Sequence, residues 1–457
     1  MNCQSTRPAP AVFHRHHPTL PMAKFCVSLW VPAVRPILTI LWVFAAGGWA
    51  LAAAGPDFTL VTLPDTEFYA QNAGGQFGLA STMQALGSAA TPAATTTVPT
   101  GTTTATKTAT HTATHTATHT ATHTAVKMPA ARYVIVISVD GMGSAYVKPL
   151  LQPGLANELS SFKRLQAEGC GTLNARDDAD FAITLPNHTS MMTGRGVVGP
   201  AGHNWTSNID PPPGATFESN KGTYIASAFD VTHDHGLRTG IWSGKSKFSL
   251  FHTSYGPTTG APDLSLPDHG RDKIDYEKIT ANISAADLSA DFTRQMTAQP
   301  FNFAFFHYRD PDAIGHAIGW SADPASPYAA ALKSVDTQIG KILDWVRATP
   351  ALNGQTSIIL TSDHGGHGQT HGDTTNPLDY TIPFYVWGAG VAAGGDLYAI
   401  NPTTRSAPAA TANPPYSGPQ PVRNGDAANL ALSLLGLGPV PGSTIDRAQD
   451  LAVAHPH

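Results

Sequence analysis

The sequence has little cysteine, little charge and no run of basic residues. Only three of its 457 residues are cysteine, and only Cys170 lies among the strand and helix patterns, so no internal disulfide bond is expected. Charged residues make up 13% of the chain, and the formal net charge is −5. Without a cluster of Lys and Arg, the chain has no electrostatic footprint of a nucleic-acid-binding protein.

The chain is instead rich in glycine, proline and histidine. It contains 42 Gly, 37 Pro and 20 His, and 42% of its residues are apolar. This length suits one large domain with insertions, or two domains. The positions of the histidines in the sequence are more informative about function than their number is.

Residues 1–54 have the pattern of an export signal. Basic residues precede an apolar run over residues 37–54, and Ala50-Leu-Ala52 offers a cleavage site of small residues. Met22 is an alternative start, because the residues before it are polar and have no pattern. The run is also just long enough for a membrane anchor. We therefore expect an exported protein, periplasmic or extracellular, that contacts a membrane only if this segment is retained.

Residues 55–127 are predicted to be a disordered tether. Ala89–Val126 is dominated by Thr and Ala, and a Thr-Ala-Thr-His repeat places histidines at positions 111, 115, 119 and 123. Dense threonine disfavours helix, and the segment cannot form a core. The histidines allow two interpretations, a solvated spacer or a segment that scavenges metal.

The folded domain is predicted to cover residues 128–448, followed by a tail over residues 449–457. Tyr133–Val139 is a continuous β-branched run, typical of a strand that is buried on both faces. Further strands are predicted at Leu237–Trp242, Phe301–Tyr308, Ser357–Thr361 and Pro383–Trp387. Helical patterns lie between them, the clearest at Ala331–Ala348. This alternation indicates an α/β fold with a mainly parallel sheet and helices on both faces.

Acidic residues follow three of the predicted strands. Asp140, Asp312 and Asp363 lie just past strand ends, where sheets of this class bind their ligands. His316 follows Asp312 by four residues, so both can reach one ion from a single helical turn. His364 follows Asp363 directly. Mixed carboxylate and imidazole ligands suit Zn²⁺, with Mn²⁺ or Fe as alternatives.

A threonine precedes a proline turn in Thr184-Leu-Pro-Asn-His188, ahead of a short helical segment. A helix N-terminus stabilises an anion such as phosphate, but a threonine nucleophile needs a base or a metal to activate it. His371 completes a set of six ligands and one hydroxyl, enough for two metals. His367 remains an alternative to His371.

Five motifs together resemble the alkaline phosphatase superfamily, in the order of that family. They are Val139-Asp-Gly, Thr184-Leu-Pro-Asn-His188, Pro311-Asp-Ala-Ile-Gly-His316, Ser362-Asp-His-Gly365 and Thr370-His-Gly372. The Thr-x-Pro-Asn-His form resembles the type I phosphodiesterase/nucleotide pyrophosphatase branch. The resemblance implies an alkaline phosphatase-like fold with the metal site at the carboxyl ends of the strands.

The resemblance also implies roles for individual residues. One zinc would be held by Asp140, Thr184, Asp363 and His364, and the other by Asp312, His316 and His371. Asn204 resembles the asparagine that contacts a phosphate oxygen in this branch. Lys245 and Lys247 resemble a Lys-x-Arg pair that grips monoesters in some members, although Lys stands where Arg is usual.

The expected reaction is hydrolysis of a small-molecule phosphoester with two divalent metal ions as cofactors, and zinc is the expected metal. Two cations about 4 Å apart can hold the attacking and the leaving oxygen, and Thr184 would form a covalent phosphothreonine intermediate. A phosphodiesterase/nucleotide pyrophosphatase is expected first, and a phosphomonoesterase or phosphonate hydrolase is the alternative.

Two other classes fit the sequence less well. A sulfatase needs Cys or Ser at the position of Thr184 and Arg at that of His188. An inactive surface binding protein would not need every ligand position filled. The group beyond the phosphorus is not readable, because the loops at residues 211–223 and 253–275 carry no recognisable pattern.

Overall fold

The structure, a computed structural model, describes residues 40–45, 48–53, 61–62, 129–155, 157–263 and 270–454. The chain divides into two compact units, Met1–Thr116 and Ala117–His457. In the first unit, strands β1 (Ile40–Ala45), β2 (Gly48–Ala53) and β3 (Val61–Thr62) form an antiparallel sheet. Within the described ranges, no helix is long and apolar enough to cross a membrane.

Strands β1 and β2 lie inside the apolar run for which the sequence predicts a signal or an anchor. The alternative start and most of the predicted tether, including its histidine repeat, lie outside the described residues. Export, anchoring and disorder of the tether therefore stay predictions.

The second unit is built on an eight-stranded sheet. Its strands are β4 (Tyr133–Val139), β5 (Cys170–Arg176), β6 (Thr239–Ser243), β7 (Tyr276–Ile279), β8 (Phe303–Tyr308), β9 (Thr356–Thr361), β10 (Thr381–Gly388) and β11 (Gly395–Asp396). The spatial order is β11-β5-β10-β9-β4-β8-β6-β7. Only β10 runs against the others, so the predicted mainly parallel sheet is confirmed.

Helices connect the strands and cover the sheet. They are α1 (Ser144–Leu150), α2 (Ser160–Glu168), α3 (Thr184–Thr193), α4 (Phe217–Lys221), α5 (Ala228–His233), α6 (Ser249–Tyr255), α7 (Ala285–Ala298), α8 (Asp310–Ile318), α9 (Pro327–Ala348), α10 (Pro377–Tyr380), α11 (Leu397–Ile400) and α12 (Asp426–Leu434). A 3₁₀ turn, Ser246–Phe248, precedes α6.

Alternate residues of the central strand β4 enter two different cores. Val134 and Val136 pack with residues of α3, α5 and α12, whereas Ile135 and Ile137 pack with residues of α2, α7 and α9. Successive side chains of a strand point to opposite faces of its sheet. The sheet is therefore covered by helices on both faces, as the uninterrupted β-branched run predicts.

One buried carboxylate joins two of the helices. Asp336 of α9 is fully buried, and its Oδ1 accepts hydrogen bonds from the backbone N–H groups of Ser161 and Phe162, at 2.8 and 3.0 Å. Lys333 Nζ donates to its other oxygen at 3.0 Å. The N-cap residue of α2, Leu159, makes no side-chain cap, so Asp336 supplies that cap from a different helix.

The packed domain continues past its predicted boundary at residue 448. Leu451 and Val453, in the predicted tail, are buried in the same core as Val134. The N–H group of Ala392 donates to the carbonyl of Val453 at 2.8 Å. The two apolar residues Leu451 and Val453 alternate with exposed residues and so belong to the packed domain.

Candidate active site

The first group of candidate ligands lies where β4 and β9 end. Asp140 directly follows β4, and Asp363 and His364 lie just after β9. Thr184 is the first residue of α3. His364 Nε2 lies 3.1 Å from Asp363 Oδ2 and 3.6 Å from Asp140 Oδ1. It also lies 3.3 Å from Thr184 Oγ1, so all four predicted ligands of the first metal meet at one buried point.

The second group lies at the start of α8 and in the loop after β9. Asp312 and His316 are one helical turn apart, with His316 Nε2 3.4 Å from Asp312 Oδ1. His371 Nε2 lies 3.8 Å from the same oxygen. Gly141 allows α8 this close to β4, because its φ is +68° and a Cβ would lie 2.9 Å from Asp312 Cα. The three predicted ligands of the second metal therefore also come together.

The imidazoles of both groups are oriented by backbone carbonyls. His364 Nδ1 lies 2.8 Å from the carbonyl oxygen of Gly365. His371 Nδ1 lies 2.9 Å from that of Ala182. His316 Nδ1 lies 3.1 Å from that of Gln369. A carbonyl partner fixes the proton on Nδ1 and leaves Nε2 as a free lone pair, the usual arrangement of a metal-binding histidine.

In each of the three carboxylates, one oxygen accepts a hydrogen bond from the protein and the other accepts none from the described residues. Asp363 Oδ1 accepts from the backbone N–H of Gly141 at 3.0 Å, and Asp140 Oδ2 is bonded to His307 at 2.8 Å. Asp312 Oδ2 accepts from Lys245 at 2.6 Å. The other oxygens, Asp140 Oδ1, Asp312 Oδ1 and Asp363 Oδ2, are buried without a hydrogen-bond partner in the described part of the chain.

These unpartnered oxygens are the atoms that face the imidazole Nε2 atoms. Leaving a buried charged oxygen unpaired is costly, and a cation between oxygen and imidazole nitrogen would remove that cost. Carboxylate and imidazole together suit Zn²⁺ and similar divalent ions. The donor set therefore fits metal binding at both groups.

Comparison of the sequence with known protein families identifies the family of this chain. Residues 134–412 match the family model described as type I phosphodiesterase/nucleotide pyrophosphatase, which is more than half of the 457 residues. The chain belongs to this family. The resemblance read from the five motifs is thereby confirmed.

Curated relatives of this phosphodiesterase-family chain are distant. Human ectonucleotide pyrophosphatase/phosphodiesterase family member 5 is 25% identical over 189 residues, 40% of this chain and 35% of the relative. The bis(5'-adenosyl)-triphosphatase of Xenopus laevis is 23% identical over 237 residues, 51% of this chain and 46% of the relative. The matches thus span less than half of each relative's own length.

Solved structures are also similar to this family member. Inactive murine ectonucleotide pyrophosphatase/phosphodiesterase 5 in complex with AMP has a TM-score of 0.46 and 14% identity, covering 68% of this chain and 96% of that chain. A Vibrio parahaemolyticus protein of the alkaline phosphatase superfamily has a TM-score of 0.45 and 14% identity, covering 70% of each chain.

A lysine lies between the two ligand groups of this phosphodiesterase-family site. Lys245 Nζ is 2.9 Å from Asp140 Oδ2 and 2.6 Å from Asp312 Oδ2. It is also 3.5 Å from Thr184 Oγ1. The sequence predicts Lys245 as a phosphate contact, and the structure brings its ammonium next to the predicted nucleophile.

Electrostatics within the site favour ionised carboxylates. Burial alone would raise the pKa of Asp140, but Lys245 and His307 outweigh it and hold the pKa well below its usual value. Burial opposes a charged His364, but Asp363 and Asp140 raise its pKa to about 10, so without a metal ion a proton occupies Nε2. The three carboxylates thus favour positive charge beside them, on Lys245 and on His364.

Asn204 and Lys247 form hydrogen bonds with residues other than the proposed ligands. Asn204 is exposed on a turn with φ +61°, and its carbonyl accepts from Asn220 at 2.8 Å. Asn208 is bonded to the helix that begins with Thr184, because its Oδ1 accepts from the N–H group of Leu185 at 2.9 Å. Lys247 Nζ donates to the Asn208 carbonyl at 2.6 Å, so this lysine supports the loop beside the site.

Two buried histidines behind the ligands were not given roles from the sequence. His188 Nε2 is 2.8 Å from Ser138 Oγ, and its Nδ1 is 2.8 Å from the carbonyl oxygen of Thr184. His307 Nε2 is bonded to Asp140. The only sequence signal for His307 is a single polar residue within an apolar strand, and the signal for Asn208 is weaker, an asparagine in a loop.

Other Asp and His residues are engaged elsewhere. His367 Nδ1 lies 2.7 Å from Asp379 Oδ1, away from Asp312, so the structure favours the arrangement with His371.

A third group, His233, Asp234 and Asp263, also has ligand spacing. Lys273 forms ion pairs with both of its carboxylates, which makes it a charge-paired cluster.

Proposed function

We propose that this protein is a metal-dependent hydrolase of phosphoric diesters that uses Thr184 as its nucleophile. The observation that carries the proposal is the position of Thr184 Oγ1 beside His364 of the first ligand group, 3.3 Å away, and beside Lys245, which is paired with Asp312 of the second group. Family membership supports the same reaction class. Nucleotide pyrophosphatase activity is included in the proposal, since the family that matches residues 134–412 is described by that activity as well.

The proposal includes two zinc ions, one at each ligand group. One would be held by Asp140, Thr184, Asp363 and His364, and the other by Asp312, His316 and His371. When bound, such ions supply Lewis-acid stabilisation of the charge on the attacking and leaving oxygens. The unpartnered carboxylate oxygens described above support this assignment.

The protein's own groups define the course of the reaction. Thr184 Oγ1 attacks phosphorus, the bond to the leaving oxygen breaks on the opposite side, and a phosphothreonine remains. Water then attacks the same phosphorus and releases phosphate ester and the free hydroxyl of Thr184. Lys245, 3.5 Å from Thr184 Oγ1, faces the transferred group and offsets its negative charge.

Phosphomonoester hydrolysis is the second candidate activity, and Lys245 is the observation that favours it. A diester carries one negative charge and a monoester up to two, so an ammonium beside the nucleophile stabilises a monoester more strongly. Lys247 supports the loop beside the site, since its ammonium donates to the Asn208 carbonyl at 2.6 Å.

A substrate panel distinguishes these candidates. We expect zinc-loaded protein to hydrolyse bis(p-nitrophenyl) phosphate and a nucleotide p-nitrophenyl ester faster than p-nitrophenyl phosphate, measured as kcat/KM. A phosphonate ester belongs in the panel as a third class. Faster turnover of the monoester would favour the second candidate, and no turnover of any ester would contradict both.

Export is a further part of the proposal. The basic residues, apolar run and small-residue cleavage site within residues 1–54 support it, with retention as an anchor as the alternative. Cell fractionation tests it. Recovery of the full-length chain from the cytoplasm would contradict it.

A further inference from the structure

His307 is a buried polar residue in the middle of the hydrophobic core. Strand β8 has the sequence Phe-Ala-Phe-Phe-His-Tyr, and all six residues are buried. The imidazole packs against Phe248, with ring centroids 4.4 Å apart, and against His188 at 4.9 Å. Burying a polar side chain is costly unless its polar atoms are hydrogen-bonded. The partners of its two ring nitrogens therefore indicate what it does.

Both ring nitrogens of His307 have a partner. Nε2 lies 2.8 Å from Asp140 Oδ2, and Nδ1 lies 3.0 Å from Ser243 Oγ. Ser243 Oγ in turn accepts from the backbone N–H of Lys245 at 3.1 Å. Asp140 follows β4, and Ser243 ends β6, on the opposite side of β8. His307 thus connects the ends of two strands that do not touch each other.

These three hydrogen bonds form a chain in which donation runs from the Lys245 backbone toward the carboxylate of Asp140. The Lys245 N–H donates to Ser243 Oγ, and the Ser243 hydroxyl donates to His307 Nδ1. His307 Nε2–H then donates to the carboxylate of Asp140. The Ser243 hydroxyl has a second, more distant acceptor in the Lys245 carbonyl at 3.4 Å, and with either acceptor the bond to the Asp140 carboxylate places an imidazole proton on Nε2.

We infer that His307 is a positioning residue that orients Asp140 for metal binding and fixes the segment that presents Lys245. With Oδ2 held by His307, Asp140 Oδ1 is turned toward His364 Nε2 at 3.6 Å. Through Ser243, the same ring holds the backbone from which Lys245 reaches Thr184. This inference rests on the proposed metal-dependent function, and it adds a specific residue behind the ligands.

Two substitutions separate the two bonds of the ring. His307→Gln places an amide donor near the former Nε2 and keeps the bond to Asp140. His307→Asn places its amide near the former Nδ1, where it reaches only Ser243. We expect His307→Asn to weaken Zn²⁺ binding by about 10–100-fold, as loss of a bond behind a metal ligand typically does. His307→Gln should bind Zn²⁺ nearly as tightly as the unchanged protein.

The measurement is titration of metal-free full-length protein with Zn²⁺ against a competing chelator. Ser243→Ala tests the other half of the connection, because it touches none of the proposed ligands. It should raise KM for p-nitrophenyl phosphate while leaving Zn²⁺ affinity close to that of the unchanged protein. A merely structural role of His307 would not separate metal affinity from KM in this way.

The matched control is His203→Gln. His203 is equally buried, and its nitrogens are bonded to Ser190 Oγ at 3.2 Å and to the N–H of Trp205 at 3.1 Å. It contacts no proposed ligand, so its replacement should leave Zn²⁺ affinity unchanged. This control removes the general effect of losing a buried histidine.

Equal Zn²⁺ affinity of His307→Asn and His307→Gln, with both variants folded, would overturn the inference. If His307→Asn does not fold, weak Zn²⁺ binding by His307→Gln or an unchanged KM in Ser243→Ala would overturn it. Failure of the unchanged protein to bind Zn²⁺ is a different result, because it contradicts the proposed function itself.

Discussion

At the scale of single residues, the two oxygens of each carboxylate in the site have different roles. One oxygen of Asp140, Asp312 and Asp363 accepts from a protein donor, and the other is buried without a hydrogen-bond partner among the described residues. The first fixes the direction of the side chain, so the second points at the imidazole Nε2 atoms. Such fixed dipoles and charges require little rearrangement when a metal or a substrate binds.

Thr184 carries the central chemical prediction at this scale. Thr184→Ala removes the only hydroxyl that lies beside His364 Nε2 in the described structure, and kcat should fall by about 10³-fold or more. Thr184→Ser keeps a hydroxyl and should retain measurable turnover. The control is Thr193→Ala in the same helix, whose hydroxyl is bonded only to the Thr189 carbonyl at 2.7 Å. Activity of Thr184→Ala within tenfold of the unchanged enzyme would exclude this nucleophile.

The two lysines that the sequence pairs should behave differently. Lys245→Ala removes the ammonium beside Thr184, and kcat/KM for monoesters should fall more than for diesters. One well-placed charge contributes about 2–4 kcal/mol in a water-excluded site, or about 30- to 1000-fold. Lys247→Ala should lower both values alike, because Lys247 supports the Asn208 loop. Parallel losses on both substrates in Lys245→Ala would remove this lysine from substrate discrimination.

The structure brings the predicted ligands together but not the predicted phosphate contacts Asn204 and Lys247, for a physical reason. Asp140 and Asp363 sit directly at strand ends, where the direction of the sheet determines their position. Asn204 and Asn208 lie in a loop after α3, whose path depends on contacts with distant residues such as Lys247. Periodicity does not encode such contacts.

At the scale of elements, the ends of the strands determine where the site lies. Helix α3 carries Thr184, and helix α8 carries the pair Asp312 and His316. Helix α8 follows β8 and presents Asp312 and His316 from one turn. The predicted strand and helix positions agree with the structure here. Uninterrupted apolar runs and helices with a single apolar face are strong sequence signals of secondary structure. The cap of α2 by Asp336 was not predictable, since it comes from a helix more than 160 residues later.

Asp336 provides a stability prediction that is independent of the chemistry. Asp336→Ala leaves two N–H groups of α2 and Lys333 without their acceptor, and the free energy of unfolding should fall by about 2–3 kcal/mol. Asp344→Ala is the control, because Asp344 is 70% exposed and pairs only with Arg164 at the surface. Its effect should stay within about 0.5 kcal/mol.

Urea unfolding followed by circular dichroism measures both variants. Neither substitution contacts the site, so kcat/KM of the folded enzyme should be unchanged. An Asp336→Ala protein as stable as the Asp344→Ala control would show that Asp336 does not cap α2.

At the scale of the whole molecule, the second unit contains both cores and both ligand groups. The family match lies within it, at residues 134–412. The segment before Met128 contributes none of the ligands. Composition predicts that the folded domain starts near Met128, because a Thr/Ala repeat cannot bury apolar surface.

A chain that begins at Met128 should therefore fold and react normally. We expect its kcat/KM and its melting temperature to match those of the longer chain, since the removed residues supply no part of the site. A chain shortened at the other end, before Leu451, is the contrasting control. It should be less stable, because Leu451 and Val453 are buried in the core. An inactive or insoluble protein beginning at Met128 would contradict the predicted tether.

The most direct test of the account is the metal content of the protein. Each ligand group offers one set of unpartnered oxygens and imidazole nitrogens, so protein reconstituted with zinc and freed of excess metal should contain two equivalents per chain by elemental analysis. Replacing Asp312 and His316 together should reduce this content to one equivalent. A content well below one equivalent in the unchanged protein would contradict a two-metal site around Thr184.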